Sequence, residues 1–120
     1  MSDDAELAKR FLDALREGAL TGTLEPVFPY VADDVEWLPR ALSGIDELRK
    51  HPSLGEQPEG LELEFELGEL TDLGDGRFEV DVRQLYRMKD SGEVASTRER
   101  RIELVVRDGK VARYDMQVVG

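Results

Sequence analysis

The sequence predicts an α+β domain in which helices pack on one face of an antiparallel sheet, and three observations carry that expectation. Apolar residues keep helical spacing up to about Gly60; from Leu61 they alternate in four long runs; and Asp75-Gly76, Asp90-Ser91-Gly92 and Asp108-Gly109 supply turns between runs. Helices first and a strand meander afterwards is the order of an α+β fold, not of alternating βα units. A strongly curved sheet closed off by helices makes a pocket, so the pattern bears on ligand volume as well as architecture.

From Asp4 to Glu17, Leu7, Phe11, Leu12 and Leu15, with Ala8 and Ala14, fall three and four apart and give one apolar helix face, which Gly18 helps to end. A second helical piece starts near Thr23, with Pro26 in its first turn, and ends near Pro29. Val35 to Pro39 is a short strand. Ser43 caps a third helix, Ile45 to Lys50, which Pro52 stops, and residues Pro52 to Gly60 form a polar loop.

In the first long run Leu61, Leu63, Phe65 and Leu67 share one face and Glu62, Glu64 and Glu66 the other, so this strand has one wet face. Gly68 is a place for a bulge that bends the sheet. Phe78, Val80 and Val82 then alternate with Glu79, Asp81 and Arg83; Ile102, Leu104 and Val106 with Arg101, Glu103 and Arg107; and Ala112, Tyr114, Met116 and Val118 with Arg113, Asp115 and Gln117. Hairpin connectivity sets the acidic face of 62–66 beside Arg83 and Arg87, and these beside Arg101 and Glu103. Such exposed pairs are worth ~0.2–1 kcal/mol each and support strand order more than stability. This outer face reads as solvated sheet.

At 120 residues the chain fits one domain, residues 1–120, with a single core. It has no cysteine, which removes disulfides, thiolate nucleophiles and zinc-thiolate sites. Met1-Ser2-Asp3-Asp4 is acidic and unlike a signal peptide, and no run approaches the ~20 apolar residues of a membrane span, so a soluble cytoplasmic protein is expected. The net charge is −11 and uneven: residues 1–76 carry 6 basic and 19 acidic side chains, a net of −13, and residues 77–120 carry 10 and 8, a net of +2. A chain with pI near 4.5 is repelled by phosphates, which argues against nucleic acid and anionic membranes as partners.

Helices, a short strand and a long bent meander resemble the nuclear transport factor 2-like superfamily, and more narrowly its bacterial SnoaL-like branch. The residues that carry the resemblance are Val31-Ala32-Asp33-Asp34-Val35-Glu36-Trp37, Ser43-Gly44-Ile45-Asp46-Glu47-Leu48, Glu69-Leu70-Thr71-Asp72-Leu73-Gly74-Asp75 and the closing Arg107-Asp108-Gly109-Lys110-Val111. The resemblance implies a cone-like, cystatin-like α+β fold: three N-terminal helices on a strongly curved, mostly antiparallel sheet, a pocket between them, and often a homodimer. It does not imply one activity, because the superfamily includes isomerases, cyclases, epoxide hydrolases, dehydratases and proteins with no chemistry.

Matched to the ketosteroid isomerase pattern, the base falls at Leu38, the oxyanion tyrosine at Phe11 and the protonated acid at Ile102. None of these apolar side chains transfers a proton or donates a hydrogen bond to an enolate. Glu36 is the nearest substitute for the base. An epoxide-hydrolase constellation needs Asp-Arg-Asp; Arg98 and Arg100 point inward, but Asp115 shares a face with Arg113, away from Tyr114 and Met116. A cyclase or dehydratase would use Glu36 or His51, the one histidine, as acid/base. No metal-ligand spacing is present and no cofactor is expected.

What remains is a pocket wall that is apolar in depth and polar at its mouth. Gln84, Tyr86 and Met88 continue the face of Val80 and Val82, and Arg98 and Arg100 that of Ile102. The expected ligand-binding residues are Trp37, Leu38, Gln84, Tyr86, Arg100, Ile102, Tyr114 and Met116, and the expected ligand is a small apolar or amphipathic molecule. The rival readings are the Glu36 or His51 enzyme and a non-catalytic module that binds protein through its outer sheet face.

Overall fold

The computed structural model describes residues 3–38, 41–51 and 59–119. Helix α1 (Asp3–Thr21) places Asp3, Asp4 and Glu6 in its first turn, where acidic groups oppose the positive end of the helix dipole, and buries Ala8, Phe11, Leu12, Ala14, Leu15 and Gly18. It runs past the expected stop. Gly22, at φ +84°, forms the left-handed end, and the N–H groups of Gly22 and Thr23 both return to the Gly18 carbonyl at 2.7 and 3.0 Å. Gly18 serves another purpose: a Cβ there would collide with the Thr23 carbonyl oxygen.

A 3₁₀ helix (Glu25–Tyr30) follows, with Pro26 in its first turn as expected. Strand β1 (Val31–Leu38) begins four residues earlier than its sequence suggests, because its pairing is non-local: it lies parallel to β7 (Lys110–Val118), with a register shift between Val31 and Glu36. Strand β2 (Leu42–Ser43) pairs antiparallel with β1. Helix α2 (Ile45–Lys50) is capped by Gly44, at φ +87°, and not by Ser43; Ser43 lies in β2 and its backbone N–H donates to Glu47 Oε2 at 2.9 Å. The expected stop at Pro52, most of the loop to Gly60, and the strand end at Pro39 lie outside the described residues.

The meander consists of β3 (Leu61–Leu67), β4 (Thr71–Gly74), β5 (Arg77–Met88), β6 (Val94–Arg107) and β7. Sheet order is β2-β1-β7-β6-β5-β3, with β4 also on β5. The fold is thus α+β, with N-terminal helices on a curved, unclosed and mostly antiparallel sheet. Twelve-residue β5 carries two partners on one edge, β4 along its first part and β3 along the rest. The bend expected at Gly68 is the break between those partners, where the Gly68 N–H donates to the Asp81 carbonyl at 2.8 Å. Asp75 and Gly76, and Asp108 and Gly109, all have positive φ, the signature of tight two-residue hairpin turns.

Alternation divides the sheet into two faces. α1 covers the inner one, and its Ala8, Phe11, Leu12 and Leu15 join Val35, Trp37, Phe65, Phe78, Val80, Val82, Ile102, Leu104 and Tyr114 in one core. The outer face is laced with ion pairs: Arg87 with Glu64 at 2.7 Å, Arg101 with Asp81 at 3.1 Å and Glu79 at 3.3 Å, Arg83 with Glu99 at 3.4 Å, and Arg113 with Glu36 at 3.5 Å. The hydrogen bond that Arg101 donates to Asp81, then the charges of Glu79 and Asp81, raise the pKa of Arg101 further. Among the described residues no helix is long and apolar enough to cross a membrane.

Candidate functional site at the open end of the inner face

Strand register sorts the inner face into rows. The deepest row is Phe78, Leu104, Tyr114 and Trp37, and the next is Val80, Ile102 and Met116. Then come Leu67, Val82, Arg100 and Val118; Phe65, Gln84 and Arg98; and Leu63, Tyr86 and Ser96. Burial falls along β6 and β7, while Val82 and Phe65 stay buried at 2% and 3% exposure. The first row is at most 4% exposed, Met116 and Arg100 are half-buried, Val118 is 75% exposed, and Arg98 and Ser96 are exposed. Chemistry changes in step, from hydrocarbon and aromatic rings to an amide, a phenol and two guanidinium groups.

The deep end is filled. Trp37 and Tyr114 stack with ring centroids 3.9 Å apart, and Phe11 of α1 meets both edge-on at 6.0 Å. Burial, with a smaller contribution from neighbouring Asp115, pushes the Tyr114 hydroxyl well above the usual tyrosine pKa, so it stays protonated. Phe11 and Ile102, the positions matched to the isomerase's tyrosine and acid, are fully buried hydrocarbon.

Of the expected ligand-binding residues, Trp37, Ile102 and Tyr114 belong to this packed end, Met116 borders it, and Gln84, Tyr86 and Arg100 gather at the open end. Leu38 is corrected. It pairs with Asp115 and so takes the face opposite Trp37 and Tyr114, shared with Glu36 and Arg113, because successive strand residues point to opposite sides. Arg98, whose guanidinium lies 5.7 Å from the Tyr86 ring centroid, belongs with the open end; its parity with Arg100 is the signal that identifies it.

The two acid/base candidates do not meet this site. Glu36 is on the outer face, its side chain 61% exposed and paired with Arg113. His51 is exposed at the C-terminal cap of α2. Asp115 faces outward as expected, with Arg113 Nη2 at 3.7 Å and Gln117 Nε2 donating to its Oδ2 at 3.3 Å. Among the described residues, no three His, Asp or Glu side chains are placed to hold a metal ion.

Two hollows flank these elements. One, of about 300 Å³, is lined by outer-face Glu66, Asp81, Arg83 and Glu99 together with inner-face Leu67, Val82 and Arg100. The other, of about 590 Å³, follows β3 between Glu62 and Glu66 beside Arg16 and Leu20 of α1. Gln84 and Tyr86 border neither.

No family model matches the sequence, and no curated protein matches it. Solved structures do. A nuclear transport factor 2-like protein from Anabaena variabilis ATCC 29413 superposes with a TM-score of 0.70 at 12% identity, covering 99% of this chain and 92% of that one. A proposed SnoaL-like polyketide cyclase from Jannaschia sp. CCS1 gives 0.67 at 19% identity, over 95% and 83%. TerC, crystallised with polyporic acid, gives 0.64 at 21% identity, over 98% and 92%. The chain therefore has the nuclear transport factor 2-like fold.

Proposed function

We propose that residues 1–120 act as one SnoaL-like domain that binds a small, largely apolar or amphipathic molecule at the open end of the inner sheet face. One observation carries the reading: the inner face passes from a packed aromatic floor to Gln84, Tyr86 and Arg100, which α1 leaves accessible beside Met116 and Val118. A mostly apolar surface with a few converging polar groups is the usual make-up of a small-molecule site. TerC, a protein of the same fold, has been crystallised with a small organic molecule, which supports a ligand for this chain by analogy.

The reading assigns no catalytic residue. An enzyme working through Glu36 or His51 finds no support in their exposed positions outside the inner face. Homodimerisation is proposed on the resemblance alone; sedimentation at micromolar concentration tests it, and a stable monomer would contradict it.

Thermal-shift screening against a library of small apolar and amphipathic compounds tests the binding function. Compounds that stabilise the protein should lose their effect in Gln84→Ala and Tyr86→Ala and keep it in the outer-face variant Arg83→Gln. Hits indifferent to all three substitutions would contradict the site.

A further inference from the structure

Charge is segregated across the sheet. The eight Asp and Glu residues of β3, β5, β6 and β7, from Glu62 to Asp115, all take outer-face positions, and none stands on the inner face. In a chain of net charge −11 this leaves the inner face of these four strands free of carboxylates; Asp72 of β4, which shares that face, lies opposite Phe78 at the other end of the sheet. That surface carries Arg98 and Arg100, two residues apart on one strand and so about 7 Å from each other at Cα.

The arginines of the two faces differ in their partners. Arg83, Arg87, Arg101 and Arg113, on the outer face, each have a carboxylate oxygen within 4 Å. Among the described residues Arg98 and Arg100 have none. Arg100 Nη1 donates to the Glu99 carbonyl at 3.0 Å, and Arg98 lies over the Tyr86 ring. Gln84 stands directly across from Arg98, and Val82 and Val118 flank Arg100. Guanidinium groups are strong, directional donors to anionic oxygens, and here the protein supplies none of those oxygens.

We propose that the ligand of the open inner face is an amphipathic organic monoanion, its charged group held by Arg98 and Arg100 and its apolar body lying on Tyr86, Met116 and Val118. This rests on the small-molecule reading above. The acidic outer face repels such a ligand, whereas the inner-face positions of β5, β6 and β7 around Arg98 and Arg100 carry no carboxylate and attract it, more strongly at low ionic strength.

The test uses two fluorescent probes with the same ring system: 8-anilinonaphthalene-1-sulfonate, an anion, and N-phenyl-1-naphthylamine, which lacks the sulfonate. Each is titrated into the wild-type protein, the double variant Arg98→Gln/Arg100→Gln and the outer-face double variant Arg83→Gln/Arg87→Gln, which has the same net charge. Melting curves first establish that all three are folded. The expected result is that the wild type and the outer-face variant bind the anion at least about tenfold more tightly than the neutral probe, and that the inner-face variant loses this preference while keeping its affinity for the neutral probe. Equal affinity of the wild type for both probes, or equal loss in both double variants, overturns the anion proposal and leaves the small-molecule site standing. Binding of neither probe to any form overturns both.

Discussion

Trp37 and Tyr114 lie directly opposite each other in the parallel pairing of β1 with β7, and their rings stack 3.9 Å apart with an interplanar angle of 19°. Phe11 closes the group from α1. This is where α1, the sheet's parallel pair and the deepest row of the inner face meet. Truncating Trp37 or Phe11 to Ala should cost about 3–5 kcal/mol in denaturant unfolding, since each leaves a large void in a packed core. A double-mutant cycle between Trp37 and Tyr114 should give a coupling of ~0.5–1.5 kcal/mol. Additive losses would show that the stack contributes area only.

Alkaline pH acts through the same group. An unfolded tyrosine ionises near ~10, whereas burial raises the Tyr114 value in the folded protein. Above the unfolded value the unfolded state therefore holds fewer protons than the native state, and stability falls as pH rises; below it the contribution is fully present. Comparing the wild type with Tyr114→Phe, the variant should resist alkaline unfolding better relative to its own stability at neutral pH. Tyrosinate absorbance should differ between the two proteins only once unfolding begins. A difference at pH values where both remain native would contradict the buried assignment.

Gly18 reverses a common rule. Replacing a glycine inside a helix by alanine ordinarily stabilises by about 0.5–1 kcal/mol. Here the added methyl group would strike the Thr23 carbonyl, the point at which the chain turns back over α1. Gly18→Ala should instead lose about 1–3 kcal/mol, read from the denaturant midpoint at unchanged m-value.

Glu36 and His51 should be dispensable for binding. Glu36→Gln removes an exposed outer-face pair with Arg113, worth at most about 1 kcal/mol, and His51 is exposed at the end of α2. Glu36→Gln and His51→Gln should both bind 8-anilinonaphthalene-1-sulfonate as the wild type does. A tenfold loss in either would return an acid/base or binding role to that residue.

Much of the architecture is legible in the sequence because it follows from local patterning. The period-two runs beginning at Leu61 and Phe78, and those containing Ile102 and Tyr114, become β3, β5, β6 and β7, and each run's parity gives its buried face. What escapes is either non-local or unpatterned. β4 is exposed throughout, so Thr71 to Gly74 carries no alternation; it is a strand only because β5 is long enough to offer a second pairing site. β1 starts at Val31 because β7 pairs with it across most of the chain. Gly18 and Gly22 are equally good helix stops by composition, and the close passage of Thr23 makes Gly18 an interior residue.

The site is legible in the same uneven way. Gln84, Tyr86 and Arg100 share a face because parity requires it. Leu38 immediately follows Trp37, so the same parity sends it to the other side, which its match to a family position does not carry. How far α1 reaches along the inner face, and hence where filled core gives way to accessible surface, depends on packing that no single strand encodes.

The most direct measurement is an amide chemical-shift titration of the isotopically labelled protein with 8-anilinonaphthalene-1-sulfonate. Saturable shifts centred on Leu63, Gln84, Tyr86, Arg98, Arg100 and Met116 are the predicted result. Shifts confined to Glu66, Asp81, Arg83 and Glu99, or to Arg16, Leu20 and Lys89, with Gln84, Tyr86 and Arg98 unmoved, would contradict a ligand site on the inner face.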